Sequence, residues 1–157
     1  MTSAQSKTAA QCTGSRILAI DYGRRRIGLA ISDERRLTGR PLRTLTRTNR
    51  RNDLRRLREI ARECAVGLLI VGHPLNMDGS EGEMAGEAAR FAARLRKELG
   101  LPVELADERL SSWEAEQIVA AASPRGRPRA TDEIAAAVIL REYLERSRPA
   151  GKSHPAH

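Results

Sequence analysis

The sequence predicts an α/β protein, a mixed central sheet with helices on both faces. Three observations point there. Short runs dominated by apolar residues recur at Arg16–Tyr22, Val66–Gly72 and Pro102–Ala106, the pattern of strands covered on both sides. The first run turns back at once, through Gly23 to Arg26, into a second run from Ile27 to Ser32, so the sheet opens antiparallel. Segments of helical spacing separate the later runs, and parallel strands need such crossovers.

In the first hairpin, RILAIDYGRRRIGLAISD over residues 16–33, Gly23 supplies the positive φ of a turn and Arg24, Arg25 and Arg26 form a basic tip. Gly28 marks a place where another backbone passes close. Pro41 to Thr46 reads as a short third strand at a sheet edge, where proline is tolerated. Asn52 to Cys64 is helical, with Leu54, Leu57, Ile60 and Ala61 on one side; Arg55, Arg56, Arg58 and Arg62 read as its solvated face. The strand Val66–Gly72 leads into a loop, HPLNMDGSEGEM. There Asp78-Gly79 is a turn, and Ser80 with Glu83 has the spacing of a capping box.

The helix that follows, from Glu81 to Leu99, packs through Ala85, Ala88, Ala89, Ala92 and Leu95 and ends at Gly100. After the strand Pro102–Ala106, Ser111 and Glu114 open a helix to about Ala122. Ser123–Ala130 is a basic Pro/Gly loop. Thr131 caps a last helix that packs through Ile134, Val138, Ile139 and Leu140 and ends near Arg146. Residues 1–15 and 148–157 read as disordered tails around one domain, 16–147.

A chain of 157 residues, 40% hydrophobic and 31% charged, is long enough for one full core. No apolar run approaches the ~20 residues of a membrane helix, and the first residues lack a secretory signal's apolar centre, so a cytoplasmic protein with no membrane partner is expected. Net charge is +8 and the pI near 10.6, which favours nucleic acid as partner. Aromatics at 3% leave few stacking platforms, so contact should fall on phosphates. Trp113, the single tryptophan, reads as packing. Cys12 and Cys64 form no CxxC or Cys/His cluster; both read as reduced thiols, and a zinc site is not expected.

Three acids have an unusual setting. Asp21 ends the first strand, Glu108 follows the last, and Asp132 opens the last helix. Each has an ordinary reading: Asp21 accepting hydrogen bonds from the Gly23 turn, Glu108 a solvated corner beside Asp107, Asp132 complementing a helix dipole. Strand ends in such a sheet lie together, and three carboxylates gathered there would repel without divalent cations between them. Mg²⁺ takes oxygen ligands from a few carboxylates and substrate phosphates. Two such ions can activate water and stabilise a phosphodiester's leaving oxygen. Asp107 and Glu133 are possible further ligands, more plausibly outside the metal shell. His73 reads as structural, with a phosphate contact as the sharper alternative.

The landmarks IDYGRRRIGLAISD (20–33), IVGHPLNMDGSEG (70–82), ADERLSSWEAE (106–116) and TDEIAAAVIL (131–140) resemble those of the YqgF/RuvX family, related to the Holliday-junction resolvase RuvC. The resemblance runs from Arg16 to about Tyr143. It implies an RNase H-like fold and a Mg²⁺- or Mn²⁺-dependent nuclease, with Asp21, Glu108 and Asp132 as catalytic and metal-binding residues. It also implies 5′ maturation of small-subunit rRNA precursor, with branched or single-stranded DNA as the other substrate and ribosomal particles as a partner. Arg25, Arg26, Arg109, Arg125, Arg127 and Arg129 are candidate phosphate contacts. A monomer and a homodimer both remain open, a resolvase requiring two sites. Two departures stand out: His73 replaces a usual leucine, and the 123–130 loop is shorter and richer in arginine. Two other classes compete. An ATPase of the actin and sugar-kinase type would need two lobes, and this chain has length for one. A non-catalytic RNA-binding assembly factor fits the charge but leaves the three acids unexplained.

Overall fold

The computed structural model describes residues 14–107 and 131–147. Its strands are β1 (Arg16–Tyr22), β2 (Arg26–Ser32), β3 (Gly39–Thr46), β4 (Val66–His73) and β5 (Val103–Asp107). The helices are α1 (Arg50–Glu63), α2 (Glu83–Leu99) and α3 (Thr131–Ser147). Their order across the sheet is β3-β2-β1-β4-β5. β1, β2 and β3 pair antiparallel, and β1, β4 and β5 pair parallel. The expected helix at 111–122 and both expected tails fall largely outside the described residues. Ser15, assigned to a tail, is instead held at the fold's edge, its amide donating to the Ala65 carbonyl at 3.2 Å.

β1 is apolar from Ile17 to Ile20 because both faces of that stretch are covered. Leu18 and Ile20 join a core with Leu57 of α1 and Phe91 and Leu95 of α2. Ile17 and Ala19 face the other way, into a core with Ala136, Ile139 and Leu140 of α3. β3 lies at the edge, and its Pro41 pairs with Ala30 beside a register shift, so the missing amide costs no regular ladder bond.

Several local expectations change. Gly23 does not have a positive φ. It is small for another reason: a Cβ there would stand 2.6 Å from the Arg26 carbonyl oxygen. α1 starts two residues before Asn52, capped by Asn49, whose side chain accepts from the Asn52 amide. The capping box at Ser80 does not form. α2 starts at Glu83 with Gly82 at its cap and no side-chain cap bond. Ser80 is already engaged, its hydroxyl and amide both donating to Asp78 Oδ1 inside the Gly79 turn. Phe91 replaces Ala89 among the fully buried residues of α2. Gly100 does close that helix, in the left-handed region.

The connection from β3 into α1 is pinned by an ion pair. Arg47 donates from Nε to Asp53 Oδ2 at 3.0 Å, and the Thr48 amide donates to Asp53 Oδ1 at 3.1 Å. Asp53 is 1% exposed, so this pairing is what makes its burial tolerable.

A very close backbone approach lies at Gly28. A Cβ there would lie 2.0 Å from the backbone oxygen of Asp132, so the first turn of α3 rests directly on β2. Gly28→Ala must push α3 off the sheet. We expect a loss of at least about 2 kcal/mol, read as a lowered midpoint in urea titration.

Candidate active site

Asp21 is the sixth residue of β1 and pairs across the antiparallel ladder with Gly28. Strand alternation puts it on the face of Ile17 and Ala19, the face that α3 covers. Because α3 rests on Gly28, its first-turn Asp132 stands beside Asp21. The sequence thus brings two of its three acids together from opposite ends of the domain.

Their electrostatics follow. The Asp21 carboxyl is raised from an ordinary 3.8 to about 7, first because burial strips its solvation, then because the charge of Asp132 opposes a second negative charge. Among the described residues no donor bonds to it, so the ordinary reading of an Asp satisfied by the Gly23 turn is not what the structure has. Asp132 is better supplied: Arg26 Nε donates to its Oδ2 at 2.7 Å. That guanidinium bonds Asp132 alone and leaves Asp21 without a paired cation among the described residues. Asp132 also lies in the first turn of α3, where the helix dipole favours a negative charge, so its ordinary role and its site role coincide.

The remaining candidates are placed unevenly. Glu108, Arg109, Arg125, Arg127 and Arg129 lie outside the described residues, as does Trp113. Among the described residues no three His, Cys, Asp or Glu side chains form a metal-holding group. Asp107 ends β5, in register with His73 of β4. Glu133 turns to β3, accepting from Thr44 Oγ1 at 3.2 Å. His73 is tied to the following loop through Nε2 and Glu81 Oε2 at 2.9 Å, a structural role.

Arg25 is exposed at the hairpin tip. Arg26 needs revision: it is the counter-ion of Asp132, and a phosphate would have to compete for it. Arg24 is also committed, bonding both carboxylate oxygens of Glu87 on α2. Cys64 is a free thiol at the end of α1; Cys12 lies outside the described residues.

Sequence reasoning missed Arg47. Its guanidinium lies 4.9 Å over the Tyr22 ring, donates to the Tyr22 hydroxyl and the Gly23 carbonyl, and so holds the end of β1 that carries Asp21. Nothing in the local sequence marks it apart from the other arginines. The donor set fits a hard divalent cation. It consists of carboxylate oxygens, one of them lacking a donor among the described residues and carrying a pKa that an adjacent cation would bring down.

A five-strand mixed sheet with an acid pair at its central strand has the architecture of the RNase H-like fold. The family model described as "RuvX: Holliday junction resolvase" matches residues 15–146, and the chain belongs to that family. A relative from Anaeromyxobacter dehalogenans (strain 2CP-C), named "Putative pre-16S rRNA nuclease", is 48% identical over 136 residues, 85% of this chain and 99% of its own. One from Geobacillus kaustophilus (strain HTA426), with the same name, is 45% identical over 137 residues, again 85% and 99%. Among solved structures, Thermus thermophilus RuvC in complex with Holliday junction substrate aligns with a TM-score of 0.51 at 15% identity, covering 84% of this chain and 96% of that one. The fowlpox virus resolvase with Holliday junction DNA aligns at 0.50 and 10% identity, covering 83% and 97%. At those identities the solved structures speak for the fold.

The raised Asp21 pKa has a signed consequence. Below 3.8 the acid is protonated in both folded and unfolded chains and costs the fold nothing; its contribution to stability is lost as pH rises from there through about 7. Asp21→Asn removes the effect. In chelator, the variant should match the parent near about pH 4 and melt at least about 4 °C higher near about pH 8, in paired thermal scans. An unchanged gap across that range would refute the assigned electrostatics.

Proposed function

We propose that this protein is a divalent-metal-dependent nuclease that hydrolyses phosphodiester bonds in the 5′ maturation of pre-16S rRNA. The observation that carries the reading is the Asp21–Asp132 pair, two neighbouring carboxyl groups of which only Asp132 is bonded to a guanidinium. A corner built this way holds excess negative charge that a cation relieves. The names of the relatives supply the substrate.

On this reading Asp21 and Asp132, with Glu108 as the third acid, hold Mg²⁺ or Mn²⁺, two ions in the full site. Bound there, such ions stabilise negative charge on the phosphoryl oxygens and activate water. The chain's own residues set the geometry. Gly28 lets Asp132 come down onto the sheet. Partial burial of Asp21 reduces the solvation of its carboxyl. Arg26, held at 2.7 Å by Asp132, is positioned to exchange that carboxylate for a substrate phosphate once a cation arrives. Arg25 at the exposed tip steers the backbone, with Arg109, Arg125, Arg127 and Arg129 as the further phosphate contacts of this reading. The work takes place in the cytoplasm, on precursor rRNA within ribosomal particles.

Asp21→Asn tests it. With precursor rRNA and Mg²⁺ or Mn²⁺, cleavage should fall at least about a hundredfold, since several kcal/mol of charge stabilisation go with the metal. RNA binding and the circular dichroism spectrum should be retained. Cleavage at the parent's rate would overturn the nuclease assignment and leave a non-catalytic RNA-binding factor. A parallel assay on single-stranded DNA and a four-way junction decides the substrate: preference for the junction would reassign the protein to branched DNA.

A further inference from the structure

The helical face away from α3 carries a second feature that the acid pair does not use. Between α1 and α2 runs an open trough with a wider part of about 720 Å³ and a narrower part of about 470 Å³. Arg50 and Arg94 line both parts, so the two are continuous. Arg51, Arg55 and Arg58 border the wider part and Arg90 the narrower. Two acids reach the trough, and both are already matched. Glu87 is bonded by Arg24 through both oxygens, and Glu98 meets Arg58 at 3.5 Å. Arg50, Arg51 and Arg94 are exposed and have no ion-pair partner among the described residues.

Guanidinium groups crowded along one groove repel one another, and a protein keeps such an arrangement at a cost to its own stability. A polyanion removes that cost. The planar fork of arginine matches phosphate oxygens in particular. Bases find no platform here. Tyr22 and Phe91, at the inner end, stack on each other with ring centres 4.8 Å apart, and Arg47 covers both rings. Recognition would therefore go through the backbone alone.

The inner end of the trough is also the link to the acid pair. Tyr22 lines it, and Tyr22 follows Asp21 directly in β1. The two sites lie on opposite faces of one strand end, joined around the hairpin tip where Arg25 is exposed.

We propose that the α1–α2 trough is a second phosphate-binding surface, which grips single-stranded RNA flanking the scissile position after it passes around the β1–β2 tip. The choice of RNA rests on the proposed function; the trough's affinity for a phosphate backbone does not. The test uses the full chain in chelator, so that no cleavage intervenes, and a fluorescent single-stranded RNA of about sixteen nucleotides. Arg50→Glu, Arg51→Glu and Arg94→Glu are combined. A control combines Arg35→Glu, Arg40→Glu and Arg141→Glu, exposed positions outside the trough with the same change in net charge.

Affinity of the trough variant should fall at least about tenfold. The slope of log K against log salt should flatten by about 2, three contacts at ~0.7 each. The control should lose clearly less. With metal restored, cleavage of an RNA of about four nucleotides should keep the parent's kcat/KM, while KM for the longer RNA rises. Parent-like affinity and slope in the trough variant, or equal losses in the control, would overturn the proposal. If the parent cleaves no RNA at all, the proposed function fails while the binding comparison still decides the trough.

Discussion

The contact between the first turn of α3 and Gly28 is the constraint on which the rest depends. It needs a residue without a side chain on β2, a strand partner whose carboxyl can sit beside it, and small residues such as Ala19 and Ala30 in the layer that receives the helix. Each is a sacrifice of packing volume close to the centre of the sheet. Larger residues there would bury more apolar area and hold α3 at a greater distance. The layer of Leu, Ile and Phe on the opposite face, with α1 and α2, is where the domain recovers bulk.

From that contact the electrostatics follow without further design. Two carboxyl groups are placed together, solvation of one is reduced, and Arg26 is close enough to balance only one charge. The corner is therefore less stable when fully ionised than the same corner with a cation in it. That repulsion is what a cation, bound there as the proposed function has it, would relieve. The Arg47 stack on Tyr22, anchored in turn to buried Asp53, keeps the end of β1 from relaxing away from that arrangement.

Much of this was legible in the sequence, for identifiable reasons. β1 could be read because a strand covered on both faces has no room for alternation. β3 could be placed at an edge because Pro41 has no amide to offer. Gly28 signalled a close approach because a small residue inside an apolar strand has few other uses. Other features depended on partners distant along the chain. Arg26 looks like its neighbours at the hairpin tip, and only the fold shows that Asp132 claims it. The arginines of α1 look like any solvated face until α2 lies alongside and turns them into a wall. The serine–glutamate spacing at residues 80 and 83 misled because the spacing records nothing of Asp78, which takes the serine first. Glu108 and the basic loop lie outside the described residues, so the third acid rests on its motif.

The position of Asp132 on the last described element bears on how such an enzyme is made. β1 to β5, α1 and α2 all precede it in the chain. Until α3 settles on β2 the acid pair does not exist, and one face of the sheet, with Ile17, Ala19 and Ile70, stays uncovered. Docking of the last described helix and completion of the carboxyl pair are therefore a single event, and whatever loosens that helix dismantles the pair with it.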